Sequence, residues 1–235
     1  MNLSLLILLP LLTALLILLS KQLAQIRVIG LVGSLAQLGA ASWLLKLYMD
    51  QRAAGNTATY LFETNTVWFK ALNINYHIGI DGIALAMILL SALVVVAGIL
   101  VSWTMEKLSK EYFFLLVLLS MGAYGFFISL DLFTLFFFLE VAVIPKFLLI
   151  GIWGSGKKEN SAMKLALMLM AGSALVFVGL MGIYYNTQSF DMVQIGQMGI
   201  SLGVHKFFFQ FLAIAHNHQL DFFAGLPVEE RVDVV

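Results

Sequence analysis

One carboxylate stands inside a long apolar stretch of this sequence. Glu140 lies within residues 132–153, where most of its neighbours are Phe, Leu, Val and Ile. As a helix, this stretch would extend roughly 33 Å, enough to cross a hydrocarbon core of about 30 Å with Glu140 near its middle. A charged group at that depth costs about 2.5–3.5 kcal/mol on insertion scales, so it must face protein or water. Glu140 is therefore a candidate functional residue.

Two neighbours bear on how Glu140 could work. Pro145 has no amide hydrogen, so the carbonyl of Val141 loses its usual helical partner and is free to bind water. Lys146 lies about 120° around the helix and ~9 Å along it from Glu140, so the two cannot form an i,i+4 pair. In the alternative reading, Glu140 only hydrogen-bonds a neighbouring helix, and Lys146 extends towards the membrane surface near Trp153.

Composition places the chain in the membrane. Of its 235 residues, 61% are hydrophobic and 11% are charged, against about a quarter charged in soluble domains. Basic and acidic residues balance at 13 each, and no basic run indicates nucleic-acid binding. The absence of cysteine excludes disulfides, thiolate metal sites and cysteine-ligated iron–sulfur clusters in this chain.

The hydrophobic pattern predicts an all-α integral membrane protein with six transmembrane helices and an incomplete seventh. The spans are expected at about residues 3–19, 28–48, 81–103, 112–129, 132–153 and 163–185. Small residues cluster on one face of the second span, which predicts close helix packing with Gln37 bonded across the contact. Residues 1–213 are expected to form the membrane part, and residues 214–235 are expected to form a polar tail.

Residues 50–80, between the second and third spans, are the long polar segment. Residues 72–80 alternate apolar and polar side chains, as in a half-buried strand, and residues 67–69 could pair with them. This pattern predicts a short β-hairpin on one membrane face, with His77 as an exposed strand residue. Near Phe190, apolar residues alternate with Gln and Gly, which predicts a segment that lies on the membrane surface.

The short segments between the spans predict helix caps and the orientation of the chain in the membrane. Asp81 and Asp131 each precede an apolar run, where a carboxylate can accept from the free amides of the first helical turn. Residues 129–131 form a tight turn, so spans four and five should pack as an antiparallel pair. Lysine and arginine are more frequent in the loops after spans one, three and five, which makes that side cytoplasmic. The N-terminus, the hairpin and the turn at 129–131 are then extracytoplasmic.

Several motifs together resemble one family. They are GIDGI at 79–83, SLDL at 129–132, FFLE at 137–140, IP at 144–145 and FLLIGIWG at 147–154. In this order and spacing they resemble the chain 4 (chain M) antiporter-like subunit of proton-pumping NADH:quinone oxidoreductase, respiratory complex I. The large subunits of multisubunit sodium/proton antiporters share part of the pattern. The resemblance covers roughly residues 1–213.

The resemblance implies a function for the chain. It implies a membrane subunit, in a bacterial inner (plasma) membrane, that takes part in proton translocation coupled to quinone reduction, with Glu140 as the functional acid. The partners would be other membrane subunits of complex I and the lipid bilayer. No cofactor is expected in this chain, since NADH, FMN, the iron–sulfur clusters and quinone would belong to partner subunits. The enzyme would therefore be an oxidoreductase with no redox chemistry in this polypeptide.

The sequence also departs from the family. Lys146 stands where the family usually has an apolar residue, so any supporting role for Pro145 and Lys146 rests on their position alone. HKFFF at 205–209 resembles the entry to the family's seventh span, but the match stops beyond Ala213. The chain is therefore expected to be truncated, by a frameshift or by gene splitting. A non-pumping structural or assembly fragment, docked through small-residue faces, is the remaining alternative.

Overall fold

The chain folds into a helical bundle with one small sheet. The computed structural model describes residues 2–198, apart from the side chain of Ala71. The helices and strands are, in order, α1 (Leu5–Leu19), α2 (Leu23–Ala53), β1 (Leu61–Phe69), β2 (Ile74–Ile80), α3 (Gly82–Val101), α4 (Ser109–Ile128), α5 (Leu132–Trp153), α6 (Lys158–Thr187) and α7 (Met192–Gln197). Short 3-10 helices cover Lys70–Leu72 and Ser102–Thr104. The predicted seventh span and the polar tail lie outside the described residues.

Five of these helices, α2 to α6, are long and apolar enough to cross a membrane. The chain is thus a multi-pass helical membrane protein, as its composition predicts. A helix also forms at the first predicted span, but α1 has 15 residues and reaches only about 22 Å. That length is shorter than the ~30 Å of a typical hydrocarbon core.

Two helices are longer than the sequence predicts. Helix α2 has 31 residues, and α6 has 30. The hydrophobic pattern marks only the part of each helix that lies in apolar surroundings, whereas helical hydrogen bonds continue into polar sequence. Helix α2 ends only near Gly55, whose φ of +85° lies in the left-handed region that glycine adopts readily.

The predicted strand pair is present between α2 and α3. Strand β1 pairs antiparallel with β2, and Asn65 lies opposite His77 in the register. The pairing begins at Leu61, earlier than the expected residues 67–69, and the chain reverses through a 3-10 turn and Asn73, whose φ is 51°. Most of β1 is exposed, but nearly all of β2 is buried, so β2 is covered on both faces.

Helix α5, which carries Glu140, packs between α4 and α6. On the α4 side, a Cβ atom added at Gly122 would lie 3.0 Å from the Cβ of Ala142 and 3.1 Å from the carbonyl oxygen of Phe138. A Cβ added at Gly125 would overlap the Phe138 ring. The two glycines therefore allow α4 and α5 to approach closely, as small residues do between membrane helices.

We expect Gly125→Ala to destabilise the bundle, because the new methyl group would force the ring of Phe138 or all of α5 to move. Overpacking of this kind costs about 1–3 kcal/mol. The measurement is the thermal unfolding midpoint of the purified full chain in detergent. Gly39→Ala is the matched control, since a Cβ there meets no atom within 4 Å. An equal midpoint for both variants would contradict the close α4–α5 contact.

Candidate functional site

Glu140 is the ninth of the 22 residues of α5, about 12 Å along the helix from its start. The helix continues through Pro145, which is buried. Because proline has no amide hydrogen, the carbonyl of Val141 cannot form its usual bond to residue 145. The structure therefore places an ionisable group and a weakened helical turn next to each other in the interior of a span.

The rings along α5 show which side of the helix Glu140 occupies. Phe136 contacts Phe177 of α6, with ring centroids 5.6 Å apart, and Phe133 contacts Phe190, with centroids 5.7 Å apart. Glu140 lies four residues after Phe136 and seven after Phe133, so these three residues share one helix face. Glu140 is thus on the α6 side of α5, away from the contact that Phe138 makes with α4.

Two contacts between α5 and α6 show which residue of α6 lies at the height of Glu140. Phe136 meets Phe177 near the start of α5, and Gly151 approaches Ala162 near its end. The two helices therefore run antiparallel, and both contacts place Ser173 at the level of Glu140. The Ser173 hydroxyl donates to the carbonyl of Met170 in its own helix, at 3.1 Å, which leaves its oxygen able to accept.

One oxygen of the Glu140 carboxyl lacks a partner. The Oε1 atom is buried and has no hydrogen-bond partner among residues 2–198. Lys146 is exposed and forms no ion pair with Glu140, as the sequence spacing predicts. The structure therefore places Glu140 and Pro145 within the packed helix and leaves Lys146 on its outer side.

The start of α5 is fixed by Asp131. Its Oδ1 accepts from the amides of Phe133 and Thr134, both at 3.0 Å, which confirms the predicted cap. Its Oδ2 accepts from the amide of Asn75 in β2, at 3.3 Å. The predicted cap at Asp81 is also confirmed, since that carboxylate accepts from the amide of Ala84 at 2.7 Å. The Asp131 carboxylate thus joins the first turn of α5 to the sheet.

The prediction that His77 is exposed is wrong. The residue is 5% exposed, and its Nδ1 lies 3.0 Å from Oδ2 of Asp191, which is itself buried. Its Nε2 lies 3.9 Å from a carboxylate oxygen of Glu63 on β1. The alternating pattern indicates which side chains share a strand face, but it does not show that the α6–α7 connection covers that face.

The segment that the sequence predicts to lie on the membrane surface packs against the bundle at its start. Phe190 is 1% exposed and stacks on Tyr184, with ring centroids 4.7 Å apart. Its carbonyl accepts from the amide of Leu132, at 2.9 Å. Asp191 then caps α7 by accepting from the amide of Val193, at 2.9 Å. Sequence reasoning missed Asp191, although an aspartate directly before a short apolar run is a helix-start signal.

The hairpin, the α4–α5 turn and the α6–α7 connection thus meet at one end of the bundle. Leu130 links all three, because its amide donates to the His77 carbonyl at 2.8 Å and its carbonyl accepts from Met192 at 3.0 Å. This junction is separate from Glu140. It fixes the start of α5, the helix that carries Glu140. Within residues 2–198, no group of three or more His, Cys, Asp or Glu residues could hold a metal ion.

The family comparison places this helix in a known group. The family described as NADH:quinone oxidoreductase/Mrp antiporter, transmembrane, matches residues 129–218, a segment that begins at the α4–α5 turn and includes Glu140. In the fold, the chain is similar to respiratory complex I from Thermus thermophilus, with a TM-score of 0.75 and 21% identity over 91% of this chain and 43% of that one. A chain of the membrane-bound sulfane sulfur reductase, an archaeal respiratory membrane complex, gives a TM-score of 0.74.

Three proteins are similar to this chain in sequence. F(420)H(2) dehydrogenase subunit M of Methanosarcina mazei is 32% identical over 78% of this chain and 36% of its own length. NADH-ubiquinone oxidoreductase chain 4 of Arabidopsis thaliana is 32% identical over 81% of this chain and 38% of its own. NADH-quinone oxidoreductase subunit M of Rickettsia typhi is 29% identical over 82% and 40%. The chain spans between 36% and 40% of the length of these three relatives.

The structure defines a multi-pass helical membrane segment with a glutamate, Glu140, in the interior of α5. Residues 129–218 match the transmembrane domain described as NADH:quinone oxidoreductase/Mrp antiporter, and the chain is similar in sequence to proteins named chain 4 and subunit M. The resemblance inferred from the sequence motifs is therefore confirmed.

The junction predicts a dependence of stability on pH. Burial raises the pKa of the Asp131 carboxyl above its ordinary value of 3.8, and the backbone amides that donate to it oppose part of this rise. The folded state therefore binds the proton more readily than the unfolded state does. This contribution to stability is fully present below pH 3.8 and is lost as the pH rises through the raised value.

Asp131→Asn removes this titration and keeps an oxygen that can cap α5. We expect the stability of the wild type relative to Asp131→Asn to fall as the pH is raised above 3.8. The measurement is the unfolding midpoint of both proteins in detergent across that range. A difference that stays constant, or that grows in favour of the wild type, would show that burial does not govern this carboxyl.

Proposed function

We propose that this chain acts in a membrane subunit of NADH:quinone oxidoreductase and takes part in proton translocation coupled to quinone reduction. The observation that carries the proposal is the buried, unpartnered Oε1 of Glu140 in the interior of α5. Ionisable groups inside membrane spans mark ion pathways and proton relays. The relatives named as chain 4 and subunit M of such oxidoreductases support the same assignment.

Glu140 would act as a switchable proton carrier. Removal from water disfavours the charged form of a carboxyl, and an approaching cation favours it. Lys146 points away, so the cation that switches Glu140 would come from another segment of the assembly. Movement of that cation would alternate the carboxyl between holding and releasing a proton, and a distant redox event could drive the movement.

The surroundings of Glu140 would guide the proton. The carbonyl of Val141, freed by Pro145, offers an acceptor one residue from the carboxyl, and Ser173 offers a second polar group on α6 at the same level. Water bound between such groups would carry the proton to and from Glu140. Pro145 would therefore support the reaction by keeping a carbonyl available, whereas Lys146 would lie outside the path.

The proposal extends to partners and location. The chain would pack against other membrane subunits and lipid, since side chains such as Ile144 and Phe137 on α5 leave large apolar surfaces exposed. The relatives in respiratory assemblies support a multisubunit setting. We place the protein in a bacterial inner membrane, with the junction at the hairpin on the extracytoplasmic side. The NADH, FMN, iron–sulfur clusters and quinone would be held by partner subunits.

A second candidate function is a large subunit of a multisubunit sodium/proton antiporter. The family description that matches residues 129–218 covers both groups of proteins. The two functions differ in their driving force, because an antiporter needs a sodium gradient, whereas the oxidoreductase needs electron flow to quinone. Proton movement that depends on added sodium, and not on quinone reduction, would favour the antiporter.

We expect Glu140→Gln to lower quinone-coupled proton pumping by about tenfold or more, since it removes the titrating group and keeps the size of the side chain. The measurement is the ratio of protons moved to quinone reduced, in proteoliposomes that contain the assembled complex. Glu63→Gln, an exposed acid of the hairpin, is the control and should leave the ratio unchanged. Normal assembly with unchanged pumping in Glu140→Gln would instead support the structural or assembly role.

The proposed orientation has a direct test, because the chain has no cysteine of its own. Asn65→Cys on the hairpin and Ser155→Cys in the α5–α6 loop are both at exposed positions. An impermeant thiol reagent added to intact cells should label Asn65→Cys and spare Ser155→Cys until the membrane is opened. The reverse labelling would invert the orientation.

A further inference from the structure

A proline and a glutamine together shape a second polar region, in helices α1 to α4. Pro10 of α1 has no amide hydrogen, so the carbonyl of Leu6 loses its partner within the helix. The Nε2 atom of Gln37 on α2 donates to that carbonyl, at 3.1 Å. Because a carbonyl can only accept, the amide orientation of Gln37 is fixed, and its Oε1 must find a donor elsewhere.

Within residues 2–198, no donor reaches that oxygen. Gln37 is 4% exposed and its Oε1 has no hydrogen-bond partner. Tyr124 of α4 is fully buried, and its hydroxyl has no partner either. Both residues line the same cavity between the four helices. An unsatisfied acceptor and an unsatisfied donor therefore border one space in a region where lipid offers neither.

The cavity has the size and the lining for a water molecule. Its volume is ≈ 10 Å³, counted as the space open to the centre of a water molecule, close to the ~10–15 Å³ that one water needs. Three hydroxyl side chains, those of Thr13, Ser34 and Ser120, also border it. Each donates its proton to a carbonyl of its own helix, so each oxygen still has a lone pair that can accept.

We propose that this cavity binds one structural water that joins α2 and α4. The water accepts from the Tyr124 hydroxyl, donates one hydrogen to Oε1 of Gln37, and donates the other to a lining hydroxyl oxygen. The two unpartnered groups are then both hydrogen-bonded. The water makes three hydrogen bonds, the usual number for a buried water. This site is independent of Glu140 and of the proton pathway proposed for α5.

The first test is a density map of the wild-type protein, in lipid nanodiscs or in its assembled complex, at a resolution that shows buried waters. We expect a single peak within hydrogen-bond distance of Oε1 of Gln37 and of the Tyr124 oxygen. An empty cavity, or a direct bond between the two side chains, would overturn the proposal. This test needs no variant and so does not depend on how a substituted chain folds.

The second test is a double-mutant cycle on the thermal unfolding midpoint of the full chain, with Gln37→Leu, Tyr124→Phe and the double variant. If both side chains bind the same water, Gln37→Leu should lower the midpoint less in the Tyr124→Phe background than in the wild type. Additive shifts would contradict the shared water. Tyr124→Phe combined with Ser109→Ala, a buried hydroxyl outside the cavity, is the control pair and should be additive.

Discussion

The hydrocarbon core of a bilayer offers no hydrogen-bond partner, and this constraint governs the polar groups of the bundle. Each of two helices contains a proline that frees a backbone carbonyl. In α1 the carbonyl freed by Pro10 receives a donor from Gln37. In α5 Pro145 frees the carbonyl of Val141 one residue from Glu140. In α1 a side chain thus replaces the hydrogen bond that the proline removes. In α5 the freed carbonyl lies next to an ionisable group.

The rest of the fold holds α5 in one position. On one side, Gly122 and Gly125 let α4 approach until backbone and rings touch. On the other side, the rings of Phe136 and Phe177 pack against each other. At its start, the carboxylate of Asp131 binds both the helix and the sheet. The helix that carries Glu140 is therefore held on two sides and at its start.

Local signals in the sequence predicted much of this fold. Apolar runs locate the helices, the aspartates at 81 and 131 stand where helix caps are expected, and the small-residue face of α2 predicts that Gln37 bonds across a helix contact. The errors came from long-range contacts. His77 was predicted to be exposed because nothing in its own strand shows that Asp191, 114 residues away, covers it. The roles of Gly122, Gly125 and Tyr124 likewise depend on which helices become neighbours, and the unpartnered state of Oε1 of Glu140 appears only in three dimensions.

Whether Glu140 binds and releases a proton can be measured directly. Infrared difference spectra of the assembled complex, recorded between its resting state and quinone turnover, report carboxylic C=O bands that appear or vanish as protons move. We expect such a band in the wild type and its loss in Glu140→Gln. Identical difference spectra for the two proteins would show that this carboxyl does not change its protonation state, and would overturn its proposed role in proton transfer.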